Sequence, residues 1–259
     1  MEDHYHNVII PLLQNEGLKL QRKQRLEALV LKRKHNVAYI AKVYNGSSFW
    51  LNCRLLTSKD IQNYISQTVP KLRTKMYFYL GLSISRILIE HQSGGAIVVK
   101  AFAQLLEEWE YYFSSSAMQS VRFVLAKNST SIYPQTNHHH GVADGDADNL
   151  TSSRGNIHKF NGTIVYEHLL TPAVPFDLDY VEVTCALSEV LKSLYDNFLQ
   201  AECYNSNSIY ELIIKLDLKL KHHFINLIAK ELTETTLLSV KADLDVFKQG
   251  EFKQQRNKK

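Results

Sequence analysis

Apolar side chains recur every three or four residues through much of this 259-residue chain, and that spacing limits most of it to amphipathic helices. The pattern is clearest over residues 178–200, where one helical face would carry Val183, Leu187, Val190, Leu191, Leu194, Tyr195 and Phe198. Glu189 falls on the opposite face, and Asp177 or Asp179 stands where an N-cap is expected. We therefore predict a helix here with its apolar face in the core.

Residues 208–232 carry two adjacent apolar stripes instead of one. A helix of this kind needs packing partners on two sides, which indicates a position inside a bundle. Ser208 and Glu211 have the spacing of a capping box at its start. A further helix is predicted over residues 233–248, ending at Gly250.

Helices are also predicted in the first half of the chain. They are expected over residues 71–92, 96–114 and about 116–127, after a shorter one that begins near Thr57 and is interrupted at Pro70. In the helix over 96–114, Glu107, Glu108 and Glu110 should point away from the apolar face.

Residues 37–56 show a different pattern. They are rich in β-branched and aromatic side chains, and the Asn45-Gly46 pair in their middle is a common hairpin turn. We predict one small β-hairpin near residues 37–56, with a helix–turn–helix as the alternative.

A polar segment, residues 129–163, contains almost no large aliphatic side chains. Because such a composition buries too little apolar surface to offset the entropy of ordering, a flexible polar loop is predicted. The predicted fold is mainly α, with two packed, bundle-like helical lobes joined by this long polar loop. The N-terminal basic helical lobe would span residues 1–128 and the C-terminal acidic helical lobe residues 164–250, followed by a basic tail, residues 251–259, that we expect to fray.

The two halves of the chain differ in charge. Residues 1–100 contain 15 Lys and Arg against 6 Asp and Glu, whereas residues 101–250 contain 11 against 19. The densest basic stretch, residues 19–34, contains Lys19, Arg22, Lys23, Arg25, Lys32, Arg33 and Lys34. We expect its cations to pair with acids of the C-terminal lobe; the alternative is contact with a partner or with an anionic surface, either nucleic acid or an acidic membrane.

Wound as a helix, this basic stretch does not separate its charges from its apolar residues. Arg22 and Arg33 fall among Leu26, Leu29 and Val30. A helix that lies on a membrane surface needs the two kinds of residue on opposite faces. The pattern therefore favours packing of the stretch against protein, with the apolar residues carrying their basic neighbours to that surface.

Potential metal ligands occur in two places, and neither has the spacing of a metal site. His138, His139 and His140 precede Asp144, Asp146 and Asp148, but adjacent histidines do not aim two rings at one ion, and the glycine and glutamate of a calcium loop are missing. His222 and His223 lack a carboxylate or thiolate at a suitable spacing, so His223 is expected in the core or at an interface. We predict no metal site, no cofactor and no catalytic residue.

The three cysteines and the N-terminal sequence bear on disulfide bonding and on the compartment. Cys53, Cys185 and Cys203 are scattered, which indicates small buried residues and no disulfide framework. No signal sequence or transmembrane segment is predicted, so the expected compartment is the cytoplasm, with the nucleus as an alternative.

We expect a non-catalytic helical adaptor or subunit of a protein complex that acts through contacts with an unidentified protein partner. The alternatives are a binder of anionic surfaces through residues 19–34 and an enzyme without a recognisable motif.

Overall fold

The computed structural model describes residues 10–92, 94–115, 157–160 and 163–256, with side chains for residues 15–92, 94–115, 157 and 164–248. Within these residues the fold is mainly α, as predicted. The helices are α1 Ile10–Tyr44, α2 Ser58–Thr68, α3 Lys71–Glu90, α4 Gly95–Tyr112, α5 Tyr180–Gln200, α6 Asn207–Leu220 and α7 Asn226–Arg256. A short 3-10 turn, Cys203–Asn205, follows α5, and a π-helical turn, Lys221–Ile225, joins α6 to α7.

Helix α5 lies in the middle of the core, with α1, α3 and α4 packed around it. Leu194 is 0% exposed, whereas the side chain of Glu189 on the other face is 66% exposed. Asp179 is the N-cap, because its side chain accepts a hydrogen bond from the backbone N–H of Glu182. The predicted helix and its phase are therefore confirmed.

Apolar residues from both halves of the described chain form one continuous core. Leu26 and Val30 of α1 are buried in it, as the sequence predicts, and α1 packs along α5. Helix α3 packs directly on α5, and a Cβ on Gly81 would lie in van der Waals contact with the side chain of Leu187, at 3.6 Å. The two lobes pack together, and the boundary between them at residues 129–163 stays a prediction.

The helix starts follow local capping chemistry. Thr57 and Asp60 form a capping box at the start of α2, as predicted. The capping box predicted at Ser208 is wrong, because Ser206 is the N-cap of α6 and accepts a bond from the Ile209 N–H, 3.4 Å away. Ser206 has the extended backbone that an N-cap needs, whereas Ser208 already lies inside the helix.

The β-hairpin predicted near residues 37–56 is wrong for its first half, since residues 37–44 complete α1. Gly46, with φ +67°, is a helix C-cap: its N–H donates to the carbonyl of Val43, and the N–H of Ser47 donates to that of Lys42. This is a Schellman motif. A glycine with positive φ serves a hairpin turn and a helix end equally well, so the turn signal did not distinguish them.

A two-stranded antiparallel ribbon lies at the end of the predicted polar loop. Strand β1, His158–Phe160, pairs with β2, Thr163–Val165, so the prediction of an unstructured segment is wrong at this end. Asn161-Gly162 stands between the strands in the sequence and supplies the hairpin signal. The rest of the predicted loop and the helix over 116–127 lie outside the described residues.

The sequence predicts that Glu108 points away from the apolar face of its helix. The prediction is wrong, because Glu108 is buried and only 1% exposed. Its carboxylate accepts the backbone N–H groups of Glu167, His168 and Leu169 at 2.8–2.9 Å. The segment that follows the ribbon needs an acceptor for these donors, and α4 supplies it. One buried carboxylate therefore fixes this segment against α4.

Helices α6 and α7 are continuous through the π-helical turn, in which the N–H of Asn226 bonds to the carbonyl of Lys221. The carbonyl of His223 in this turn accepts the Tyr77 hydroxyl, 3.2 Å away. Helix α7 then runs through Gly250 to Arg256, so the predicted end at Gly250 and the frayed start of the tail are wrong. Glycine inside a helix costs only about 1 kcal/mol, which the rest of α7 offsets.

Candidate functional site

The basic stretch of α1 is largely turned towards the acidic half of the chain. Arg33 and Asp217 are each 5% exposed and form a two-pronged ion pair, with Nε and Nη2 of Arg33 donating to the two carboxylate oxygens at 2.6 and 2.7 Å. The Tyr195 hydroxyl donates to the same carboxylate at 2.8 Å. The hydrogen bond to Asp217 raises the pKa of Arg33 above its ordinary value, so the guanidinium stays charged.

Three more of the seven predicted site residues contact the C-terminal half. Lys34 binds the Asp196 carboxylate at 2.8 Å, Arg22 donates to the carbonyl of Tyr204 at 3.0 Å, and the Lys23 ammonium lies 5.6 Å from the ring centre of Tyr204. The outward-facing members of the set are Arg25 and Lys32, which are exposed, and Lys19, which is half-exposed. A role for these three in anion or partner binding stays a prediction.

A second charged cluster joins α4 to α6 and the π-helical turn. Lys219 donates to Glu107 at 2.5 Å and to Glu110 at 3.3 Å, and the His223 ring nitrogen lies 3.1 Å from Glu110. The His223 ring also packs edge-on against Trp109, 5.3 Å between centres. Burial alone would raise the pKa of Glu110, but the hydrogen bond to His223 and the charge of Lys219 outweigh it and lower that pKa to about 2.

This cluster predicts an acid-dependent loss of stability. Because the pKa of Glu110 is lower in the folded chain than its ordinary value of 4.5, its contribution is complete above pH 4.5 and is lost as the pH falls towards 2. Glu110→Gln should flatten this limb of the curve of unfolding free energy against pH, measured by urea denaturation. The exposed control Glu16→Gln should keep the wild-type slope, and equal slopes in all three proteins would contradict the assignment.

An unusual tight turn follows α1. Leu51 and Asn52 have φ values of +48° and +57°, and the Cys53 N–H donates to the carbonyl of Trp50 at 2.9 Å. Trp50 also pairs with Arg54 as an isolated antiparallel bridge. Two consecutive positive φ values are the pattern of a type I′ turn, which favours Asn and Gly. A leucine at the first of these positions is strained.

The turn is held on both sides by one tyrosine. The Tyr39 hydroxyl donates to the carbonyl of Phe49 and accepts the N–H of Leu51, both at 2.7 Å. The Tyr39 ring stacks on the buried Trp50, 5.4 Å between centres, and the Trp50 indole N–H donates to Thr233 of α7 at 3.1 Å. Leu51 nevertheless stays 60% exposed. An apolar side chain is thus fixed in a solvent-facing position.

The C-terminal part of α7 carries a second exposed apolar group beside this turn. Its members are spaced by three, four and three residues: Leu237, Val240, Leu244 and Phe247. They fall within about 80° of one another around the helix. Ser239 and Asp243 hold other faces of α7 against Asp60 and Arg54.

We call the exposed apolar side chains of the turn, together with these four α7 residues, the loop–helix surface. It consists of Phe49, Leu51, Leu55, Leu237, Val240, Leu244 and Phe247. The residues that flank the tip of the turn, Trp50 and Arg54, bond to Thr233 and Asp243 of α7, so the two parts are neighbours.

Sequence reasoning assigned no function to this surface. The spacing of Leu237, Val240, Leu244 and Phe247 was a usable signal, because it continues beyond the two stripes of the preceding helix. The sequence around Leu51 gave no indication that this leucine has a positive φ. Cys53, expected to be buried, is exposed at the end of the turn, whereas Cys203 is buried as predicted.

A groove between α2 and α7, with a volume of about 310 Å³, lies beside this surface, because Arg54 and Asp243 form part of its lining. Its lining includes four titratable groups: Arg54 and Asp243 form an ion pair with each other, and Asp60 and Tyr64 belong to α2. Burial and the bond to Glu234 raise the pKa of Tyr64 to about 12, and the Asp60 carboxylate is occupied by bonds from Thr57 and Ser239. Both groups serve contacts within the fold, and neither is poised for proton transfer near neutral pH.

Among the described residues, no three His, Cys, Asp or Glu side chains are grouped as a metal site, and none of the helices has the length and apolar character to cross a bilayer. His138–His140 and the aspartates at 144, 146 and 148 lie outside these residues. Comparison of the chain with protein family models, with curated proteins and with solved structures finds no match.

Proposed function

We propose that this protein is a non-catalytic helical subunit of a protein complex and that it binds its partner through the loop–helix surface. The observation that carries the proposal is Leu51, an exposed leucine held at positive φ by Tyr39 and Trp50. Backbone strain of this kind costs about 1–3 kcal/mol and tends to persist where it serves a function. Here the strain places an apolar side chain in water.

The neighbouring stripe on α7 makes the same surface larger and keeps it rigid. Exposed apolar patches that are fixed in place mark protein-binding sites more often than isolated exposed leucines do. Because the turn and the helix are already ordered, binding would freeze few side chains, and more of the contact energy would remain as affinity. A protein partner with a complementary apolar face fits these properties.

Leu51→Asn should separate stability from binding. Asparagine tolerates positive φ, so the free energy of unfolding of the variant should be about 0.5–1 kcal/mol higher than that of the wild type, and its unfolding temperature should rise slightly. The variant should nevertheless lose its apolar contact with the partner. Thermal unfolding measures the first effect. Partner recovery by a tagged chain from its native cells, quantified by mass spectrometry, measures the second.

Leu244→Asp and Leu31→Asp complete the test. Leu244 and Leu31 are equally exposed, 55% and 57%, but only Leu244 belongs to the loop–helix surface. We expect the same proteins to be depleted roughly tenfold from both the Leu51→Asn and Leu244→Asp samples and retained by Leu31→Asp. Identical recovery by all of the proteins would exclude this surface as the binding site.

A further inference from the structure

The apolar stripe of α7 consists of Leu237, Val240, Leu244 and Phe247. The spacing of these residues and the charges beside them indicate which kind of partner could bind the stripe. Leu237 and Leu244 occupy a positions of a heptad repeat, and Val240 and Phe247 occupy d positions. We infer that α7 of a second copy of this chain packs on the stripe, parallel and in register, as a short coiled coil. This inference rests on the proposed function and names the partner of its helical part.

The charges beside the stripe would also complement each other between two copies. With this register, Asp243 is a g residue and Lys248 is the e residue of the next heptad. In a parallel pair of helices, g of one helix faces the following e of the other, so Asp243 of one copy meets Lys248 of the second. Two-fold symmetry makes this ion pair twice.

Both side chains are available for that contact. Asp243 uses one carboxylate oxygen for Arg54, but its side chain remains 62% exposed, and Lys248 is exposed. Neither has to leave a buried position.

The antiparallel arrangement of the same stripe is disfavoured. In it, e residues face e residues, which brings Lys241 of one helix towards Lys248 of the other. Two ammonium groups at the edge of an apolar contact repel each other, and Asp243 would lose its lysine. The sign pattern therefore selects the parallel orientation.

The ends of the stripe limit its register and strength. The next a and d positions towards the N-terminus are Lys230 and Thr233, and Thr233 is already bonded to Trp50. The next a position towards the C-terminus is Glu251. A seam bounded by polar residues on both sides does not slip easily, and its two heptads should give a dissociable dimer.

Cysteine cross-linking tests the orientation. In a Cys53→Ser chain, Phe247→Cys would place two cysteines face to face in the parallel dimer, whereas the antiparallel dimer would place position 247 opposite position 237. We expect mild oxidation to give a covalent dimer of Phe247→Cys. A mixture of Leu237→Cys and Phe247→Cys chains should give no mixed dimer beyond the level of the exposed control Leu31→Cys.

A charge exchange tests the ion pair. Asp243→Lys and Lys248→Asp should each be monomeric in sedimentation velocity runs, because each puts like charges together, and an equimolar mixture should dimerise again. Thermal unfolding checks that Asp243→Lys stays folded without its bond to Arg54. Leu244→Asp should weaken the wild-type dimer at least roughly tenfold, and Leu31→Asp should leave it unchanged.

Three results would overturn the inference. The first is a wild-type chain that stays monomeric at high micromolar concentration. In that case, a lower unfolding temperature of Leu244→Asp than of the wild type would show that another segment of the same chain covers the stripe. The second is efficient cross-linking between positions 237 and 247, and the third is a charge-exchanged mixture that stays monomeric. A monomeric chain that still loses partners with Leu51→Asn and Leu244→Asp would overturn only the second-copy inference, whereas unchanged recovery would remove the proposed function as well.

Discussion

Replacing Arg33 with methionine is expected to lower the free energy of unfolding by about 3–5 kcal/mol. Arg33 holds the buried carboxylate of Asp217 with two hydrogen bonds, and Tyr195 supplies one more. Without the guanidinium, a charged group would remain in the core with only one donor, and that desolvation penalty is the main cost. Urea denaturation at neutral pH measures the loss.

The matched control replaces the whole network. Arg33→Met, Tyr195→Phe and Asp217→Leu together leave no buried polar group behind, so this triple variant should recover most of the stability that Arg33→Met loses. If the single variant costs less than about 1 kcal/mol, the pair is not buried in solution as the structure shows. If the triple variant is as unstable as the single one, packing and not charge dominates at Arg33.

Glu108→Ala is expected to cost about 3–5 kcal/mol, because three backbone N–H groups lose their acceptor and each such loss in a buried setting costs roughly 1–3 kcal/mol. The donors belong to Glu167, His168 and Leu169. Hydrogen exchange should show that these amides lose protection before the rest of the chain does. Thermal or urea unfolding gives the overall loss.

Glu107→Ala is the control for Glu108→Ala. Glu107 is the preceding residue of α4, but its side chain is 32% exposed and forms an ion pair with Lys219 near the surface. Such ion pairs contribute about 0–1 kcal/mol, so the control should stay close to the wild type. Comparable losses at the two positions would contradict the buried role of Glu108.

Periodicity was sufficient to predict most of the helices and the phase of the central one. The side chains that decide it, such as Leu194 and Glu189, follow directly from helical geometry. Turn signals were less informative. The same dipeptide ends a helix at Asn45-Gly46 and stands between two paired strands at Asn161-Gly162. The difference arises from whether the preceding residues pack as a helix, which a local pattern does not encode.

The buried charges could not be assigned from the sequence for a similar reason. The basic stretch of α1 and the acidic half were expected to attract each other, but the sequence does not show that Arg33 alone of the set meets its acid inside the core. Glu108 and its neighbour Glu107 differ in burial although they are adjacent and identical. Such distinctions depend on which backbone donors arrive from distant segments.

The strained backbone at Leu51 also could not be predicted from the sequence. It depends on Tyr39 and Trp50, which clamp the turn from α1 and from the bridge itself. A sequence pattern reports which residues prefer a turn, and here the structure imposes the turn on a residue that does not prefer it. The loop–helix surface therefore emerges only from the three-dimensional contacts.

The π-helical turn at Lys221–Ile225 determines how α7 is rotated about its axis relative to α6. Such a turn accommodates an extra residue in an otherwise α-helical rod, so deleting one residue there would restore a regular helix. It would also rotate α7 by about 100° relative to α6. Thr233, Ser239 and Asp243 would then face away from Trp50, Asp60 and Arg54. In evolutionary terms, a frame-preserving loss of one codon in this turn would redirect the apolar stripe as a unit while every residue of that stripe stayed the same.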